Sequence, residues 1–216
     1  MRTTVERSST SASTVLLVAL LACSLPASAF TVNITAANPR VIYLQVGVGA
    51  FTGGNLNAGG SPAANPTVNV VSVTVPAAQV GSGTAQTMTT NSTASTSFYD
   101  GYAFCNVPGQ LYIGGFYRST TNTGAATLQA TSAANLINTS GGTTIPFTEI
   151  RWTSSGNGES GAQPFPAGTF VGGTQTIGTI NRNQWAESCH TFSYVNSSFV
   201  AAGTYTGRVT YTLSTP

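Results

Sequence analysis

Few residues in this chain have chemistry to offer. Beyond residue 29 the acids are Asp100, Glu149, Glu159 and Glu187, the one histidine is His190, and the cysteines are Cys105 and Cys189. A single histidine excludes a multi-His metal site, and no metal or cofactor motif is present. His190 directly follows Cys189, where a structural role is expected rather than a Cys–His nucleophile. A glycosidase would need two carboxyls facing each other at a fixed separation. Glu149 is instead expected to pair with Arg151 on the same strand face, Glu159 falls in a Ser/Gly/Asn loop, and Glu187 beside Trp185 reads as a rim residue. The chain is therefore expected not to be an enzyme and to need no cofactor. Sugar binding is the remaining chemistry. Trp152 and Trp185, with Tyr99 and Tyr117, would stack on pyranose rings if exposed and would be ordinary core aromatics if buried.

Whatever these residues do, strands must position them. In Gly203–Leu213, GTYTGRVTYTL, the large residues Tyr205, Val209, Tyr211 and Leu213 share one parity and Thr204, Thr206, Arg208, Thr210 and Thr212 the other. A period of two over eleven residues predicts a β-strand with one dry face. Burying four such side chains at ~1.5–3 kcal/mol each is worth as much as the net stability of a typical domain. The fold must roof this face with its own sheet or with a neighbouring molecule's. Phe30, Val32 and Ile34 form a second, shorter alternation, and Arg40–Val48 a third. In Val68–Val75 the valines change parity, which predicts a bulge near Val70. The aromatic run Phe98–Cys105 and the run Leu111–Arg118 predict a central hairpin, with a bulge at Gly114-Gly115. Ala125–Ala130, Thr143–Thr153, Gly168–Ile180 and His190–Val195 continue the pattern. About ten short strands with Gly/Pro/Asn turns and no 3.6-residue apolar period predict an all-β, immunoglobulin-like Greek-key β-sandwich.

The first 29 residues read as a cleaved signal peptide. Arg2 and Arg7 precede the apolar core Val15–Cys23, and Ala27-Ser28-Ala29 is a small-residue cleavage site. Leu20-Leu21-Ala22-Cys23 resembles a lipobox, so a lipid-anchored form is the alternative. Residues 30–216 are expected to form a single domain with no stable membrane span, exported to the periplasm, the cell surface or the medium. Without Arg2, Arg7 and Glu6, the chain has five arginines against four acids, and it has no lysine. No basic stripe exists for phosphate, which excludes nucleic acid as a partner. In an oxidising compartment Cys105 and Cys189 are expected to form a disulfide worth roughly 4–4.5 kcal/mol by loop entropy. Sequons begin at Asn33, Asn91, Asn138 and Asn196 and would matter only in a glycosylating host.

The ending AAGTYTGRVTYTLSTP, with Gly203, Tyr205, Val209, Tyr211 and Leu213, resembles the closing strand of chaperone-usher pilins and of spore coat protein U-like secreted domains. The resemblance implies an incomplete immunoglobulin-like sandwich that accepts a strand first from a periplasmic chaperone and then, at the usher, from the next subunit. Phe30, Val32 and Ile34 are then the donor-strand candidate, expected to be unpaired in an isolated subunit. The function implied is a cell-surface structural or adhesive subunit whose partners are copies of itself or homologous subunits. A self-complete sandwich and a secreted carbohydrate-binding module are the alternatives.

Overall fold

The computed structural model describes residues 30–157 and 161–216. The residues read as a signal peptide and its cleavage site, and Glu159, lie outside the described residues. In chain order the strands are β1 (Thr31–Asn33), β2 (Val41–Val46), β3 (Ala50–Thr52), β4 (Ser61–Ala63), β5 (Val71–Ser72), β6 (Gln86–Thr87), β7 (Thr89–Thr90), β8 (Leu111–Arg118), β9 (Ala125–Ser132), β10 (Asn135–Asn138), β11 (Thr144–Pro146), β12 (Ile150–Ser155), β13 (Gly168–Thr169), β14 (Thr174–Asn181), β15 (Gln184–Tyr194), β16 (Tyr205–Thr206) and β17 (Val209–Ser214). The helical content described is two 3-10 turns, Ala77–Gln79 and Phe147–Glu149. The protein is an all-β sandwich of antiparallel sheets. One sheet runs β13-β12-β15-β8-β2, with β1 and β6 also on β15; facing it is β14-β9-β17. No helix among the described residues is long and apolar enough to cross a membrane.

The eleven residues of β15 organise the large sheet. Its first half is flanked by β1 and β8, its second half by β12 and β6. Both faces of β15 are covered. Ala186, Phe192 and Tyr194 point into the main core between the sheets, together with Leu128, Ile180, Trp152 and Phe165. Trp185 and Cys189 point outward into a second core with Tyr112, Phe116 and Phe104, which the long connection between β2 and β8 covers with Phe51, Leu56, Phe98 and Tyr99. A strand buried on both faces loses its alternation. For this reason the sequence pattern revealed only the end of β15, from His190.

The C-terminal run alternates as expected. Leu213 is buried, Tyr205, Val209 and Tyr211 are half-buried against the main core, and the threonines between them are exposed. It is not one strand, however. Tyr205–Thr206 pairs with β10, and Val209–Ser214 pairs with β9. The chain passes from one pairing to the other through Gly207, where a Cβ would overlap the Phe147 ring within about 2.5 Å. Its roof comes from the same chain: Leu44 and Val46 of β2 and Val71, Val73 and Val75 pack into the same core.

Three local expectations are corrected. Gly114 and Gly115 sit in an unbroken register with both β15 and β2, so there is no bulge. They are glycines because a Cβ would overlap the Tyr112 hydroxyl in one case and the Tyr43 carbonyl oxygen in the other. The valine parity change is not a bulge either. Val68 and Val70 are exposed on an irregular segment, and the strand begins only at Val71. The run 98–105 forms no hairpin with β8. It is irregular cover that makes one isolated β-bridge, Thr96 to Ala103, while β8 pairs with β2 and β15.

Candidate functional site

Cys105 and Cys189 are bonded, with Cα atoms 5.5 Å apart and a sequence separation of 84. The bond fastens the outer cover to the middle of β15. His190, next in the chain, is buried. Its Nε2–H donates to the Phe165 carbonyl at 3.0 Å, and its ring stacks on Trp152 with centroids 5.7 Å apart. Because Nε2 donates to a carbonyl, the neutral ring carries no proton on Nδ1, and Nδ1 has no partner. Burial pushes His190 down to about 4. It is a core residue, as expected.

The carboxylates are not where the sequence pattern suggested. Glu149 makes no pair with Arg151. It accepts from the Ser197 backbone N–H at 3.0 Å, from the Ser197 hydroxyl and from Ser198 Oγ at 3.4 Å, while Arg151 Nε donates to Ser193 Oγ at 3.2 Å. The residues 147–149 form a 3-10 turn, which breaks the alternation that placed Glu149 beside Arg151. Arg151→Ala is therefore expected to change stability by no more than about 0.5 kcal/mol. An ion pair with Glu149 would make the loss larger in a urea titration.

Glu187 is not a rim residue. It is fully buried in the outer core, where it accepts a hydrogen bond through Oε2 from the Tyr112 hydroxyl. Gly114 lies opposite it on β8, and the missing side chain there lets the Tyr112 ring lean across. Ser97 and the Trp185 indole also border the carboxyl, with Asp100 nearby. Even so, Oε1 and the indole nitrogen have no partner in hydrogen-bond geometry. Burial pushes Glu187 up to about 7, helped by Asp100. Burial and the Glu187 charge push the Tyr112 hydroxyl well above its ordinary range. The pair is an acid and a phenol sealed away from any substrate.

The glycan-stacking candidates are also corrected. Trp152 is 5 % exposed and Trp185 0 %, so neither presents a ring face to a sugar. Trp152 lies against Phe170, at 4.8 Å between ring centroids, and its indole N–H donates to the Pro166 carbonyl at 2.9 Å. Trp185 is central to the aromatic cluster of Tyr43, Phe51, Tyr99 and Phe116. The rings that do face solvent are Tyr102 and Phe199, which the sequence reading did not single out for binding. Of the sequons, Asn138 and Asn196 are buried. Asn196 also spends its amide on the carbonyls of Gln79 and Thr84.

The N-terminal segment is docked on its own chain rather than left unpaired. Thr31, Val32 and Asn33 lie opposite Ala186, Trp185 and Gln184 of β15. The Ile34 N–H donates to the Asn183 carbonyl at 2.8 Å, and the Glu187 N–H to the Phe30 carbonyl at 3.3 Å. Phe30, Val32 and Ile34 all pack against the outer core, the Phe30 ring edge-on to Tyr99 and Phe104 at 6.0 and 5.7 Å. The alternation read in the sequence is thus a real strand in a shaped slot.

No protein-family model, curated protein or solved structure matches this chain.

Proposed function

We propose that this chain is an exported, non-enzymatic structural or adhesive subunit of the cell surface, joined to its own kind by exchange of the N-terminal strand. The observation that carries this reading is the docking of β1. Three side chains of one parity fill a slot of aromatic rings, yet the strand is held by a register of only three residues at the border of β15. A short terminal strand with its own apolar pockets is the kind of element that can be traded between identical copies with every contact preserved. The resemblance at the C-terminal strand points the same way, with a periplasmic chaperone and an usher as the partners that would hold the slot before a subunit does. The remaining chemistry supports a non-catalytic role, since His190, Glu149 and Glu187 are each committed to internal contacts. The charge-poor Ser/Thr/Asn surface suits packing against like surfaces.

The test is assembly. Purified protein run unheated on a denaturing gel is expected to give a ladder of bands that collapses to one on boiling. A variant lacking residues 30–36 should lose the ladder and regain solubility when the corresponding synthetic peptide is supplied. A single unheated band at every protein concentration, together with a deletion variant indifferent to the peptide, would reject strand exchange.

A further inference from the structure

The register that docks β1 also places Phe30 directly opposite Glu187, with the Glu187 N–H donating to the Phe30 carbonyl. Cross-strand neighbours on one face lie about 4.5–5.5 Å apart at Cβ. Phe30 therefore forms one wall of the carboxyl's enclosure. Tyr112, leaning over Gly114, forms the opposite wall, and Ser97 and Trp185 close the rest. The titratable groups around the enclosure are Tyr112 on β8, Tyr43 on β2, and Tyr99 and Asp100 in the cover; β1 brings none. None of them is basic, and Oε1 is unpartnered. An ionised Glu187 would therefore be a buried charge with polar neighbours but no cation beside it, an arrangement that favours admitting water. The walls differ in how firmly they are held. Tyr112 belongs to a strand bonded on both sides, while Phe30 precedes a strand of three residues.

We infer that Glu187 is a proton-operated latch on the N-terminal strand: protonated, it keeps β1 docked; ionised, it drives β1 out of the slot and frees it for a neighbouring copy. This rests on the strand-exchange reading above and names its regulation. The sign follows from linkage. Burial holds the carboxyl at about 7 in the docked state against an ordinary 4.5 when β1 is out and water enters. The undocked state thus binds fewer protons between those values, and undocking becomes more favourable as pH rises through that window. The expected change is on the order of a hundredfold in the docking equilibrium, levelling off above pH 7.

Amide hydrogen-exchange protection factors at Thr31–Ile34, measured between pH 4.5 and 7.5 against those of β8, test this directly. They are expected to fall on the order of a hundredfold in the native protein and to stay flat in Glu187→Gln. Parallel profiles in the two proteins would overturn the latch. Should the Glu187→Gln variant fail to fold, Phe30→Ala provides a second route. It should return the Glu187 carboxyl, followed by NMR titration, to the ordinary carboxylate range, and an unmoved midpoint overturns the proposal. Capture of a fluorescent peptide of residues 30–36 by the native protein separates the two ideas. Capture without pH dependence leaves exchange standing and removes the latch. Protection that depends on pH and on Glu187, with no capture at any pH, removes exchange and leaves the latch.

Discussion

Reducing the Cys105–Cys189 bond is expected to cost this protein about 4 kcal/mol, a large share of what a domain of this kind can hold in reserve. The loop it closes spans 84 residues, and in the chain-entropy account long loops are the ones whose closure restricts the unfolded chain most. The bond also has a local task. It is the covalent tie between the irregular cover and β15, and the outer core beneath that cover contains Trp185, Tyr112 and Phe116. A Cys105→Ala/Cys189→Ala protein should show a lower urea midpoint and take up a dye that binds exposed apolar surface, because the cover loosens before the main core does. Both sulfurs are buried, so reductant should act on the native protein only slowly and act fast once denaturant opens it. If the double variant matched the parent in midpoint and dye binding, the cover would be held by its aromatic contacts alone.

Acid and base are expected to act on this protein through two buried groups that oppose each other. Glu187, raised from 4.5 to about 7, contributes stability that is fully present below pH 4.5 and is lost as pH rises through 7. His190, lowered from 6.5 to about 4, contributes stability that is present above pH 6.5 and is lost as pH falls through 4. Each slope is about 1.4 kcal/mol per pH unit, and each group is worth about 3 kcal/mol over its window. Between pH 4.5 and 6.5 the slopes cancel, so the parent protein should give a flat stability profile there. Glu187→Gln should expose the histidine and lose stability as pH drops below 6.5. His190→Gln, which keeps an N–H for the Phe165 carbonyl, should lose it as pH rises above 4.5. Urea titrations at half-unit steps decide the matter, and a Glu187→Gln protein whose profile tracks the parent's would refute the assignment. The loss from Glu187 also has a ceiling: once it equals the cost of undocking β1, the strand leaves and water takes the charge.

The parts of the fold legible in the sequence were those with one wet face. Val209, Tyr211 and Leu213 alternate because β17 is an edge strand with threonines to solvent, and Phe30, Val32 and Ile34 alternate because β1 is another. Where both faces are dry, the pattern vanished. From Trp185 to His190 every residue is buried, so the central strand of the molecule was invisible as a strand until His190. Aromatic content misled in the opposite direction: Phe98, Tyr99 and Phe104 suggested a strand, whereas they cover a core from an irregular segment. The same two-sidedness hid the candidate site. An acid between a tryptophan and a cysteine looks like a rim residue unless a second core is known to lie over it.

What the sequence determined by itself was composition and local period: an all-β chain, two cysteines free to find each other, a charge-poor surface and two alternating ends. These depend on residues within one strand's length of each other, where side-chain parity is enough. Only the tertiary structure decided that Phe30 stands opposite Glu187, that Gly114 leaves room for Tyr112 to reach the same carboxyl, and that both tryptophans are turned inward. Those facts follow from register between strands far apart in the chain. A shift of one residue would have sent every one of these side chains to the other face.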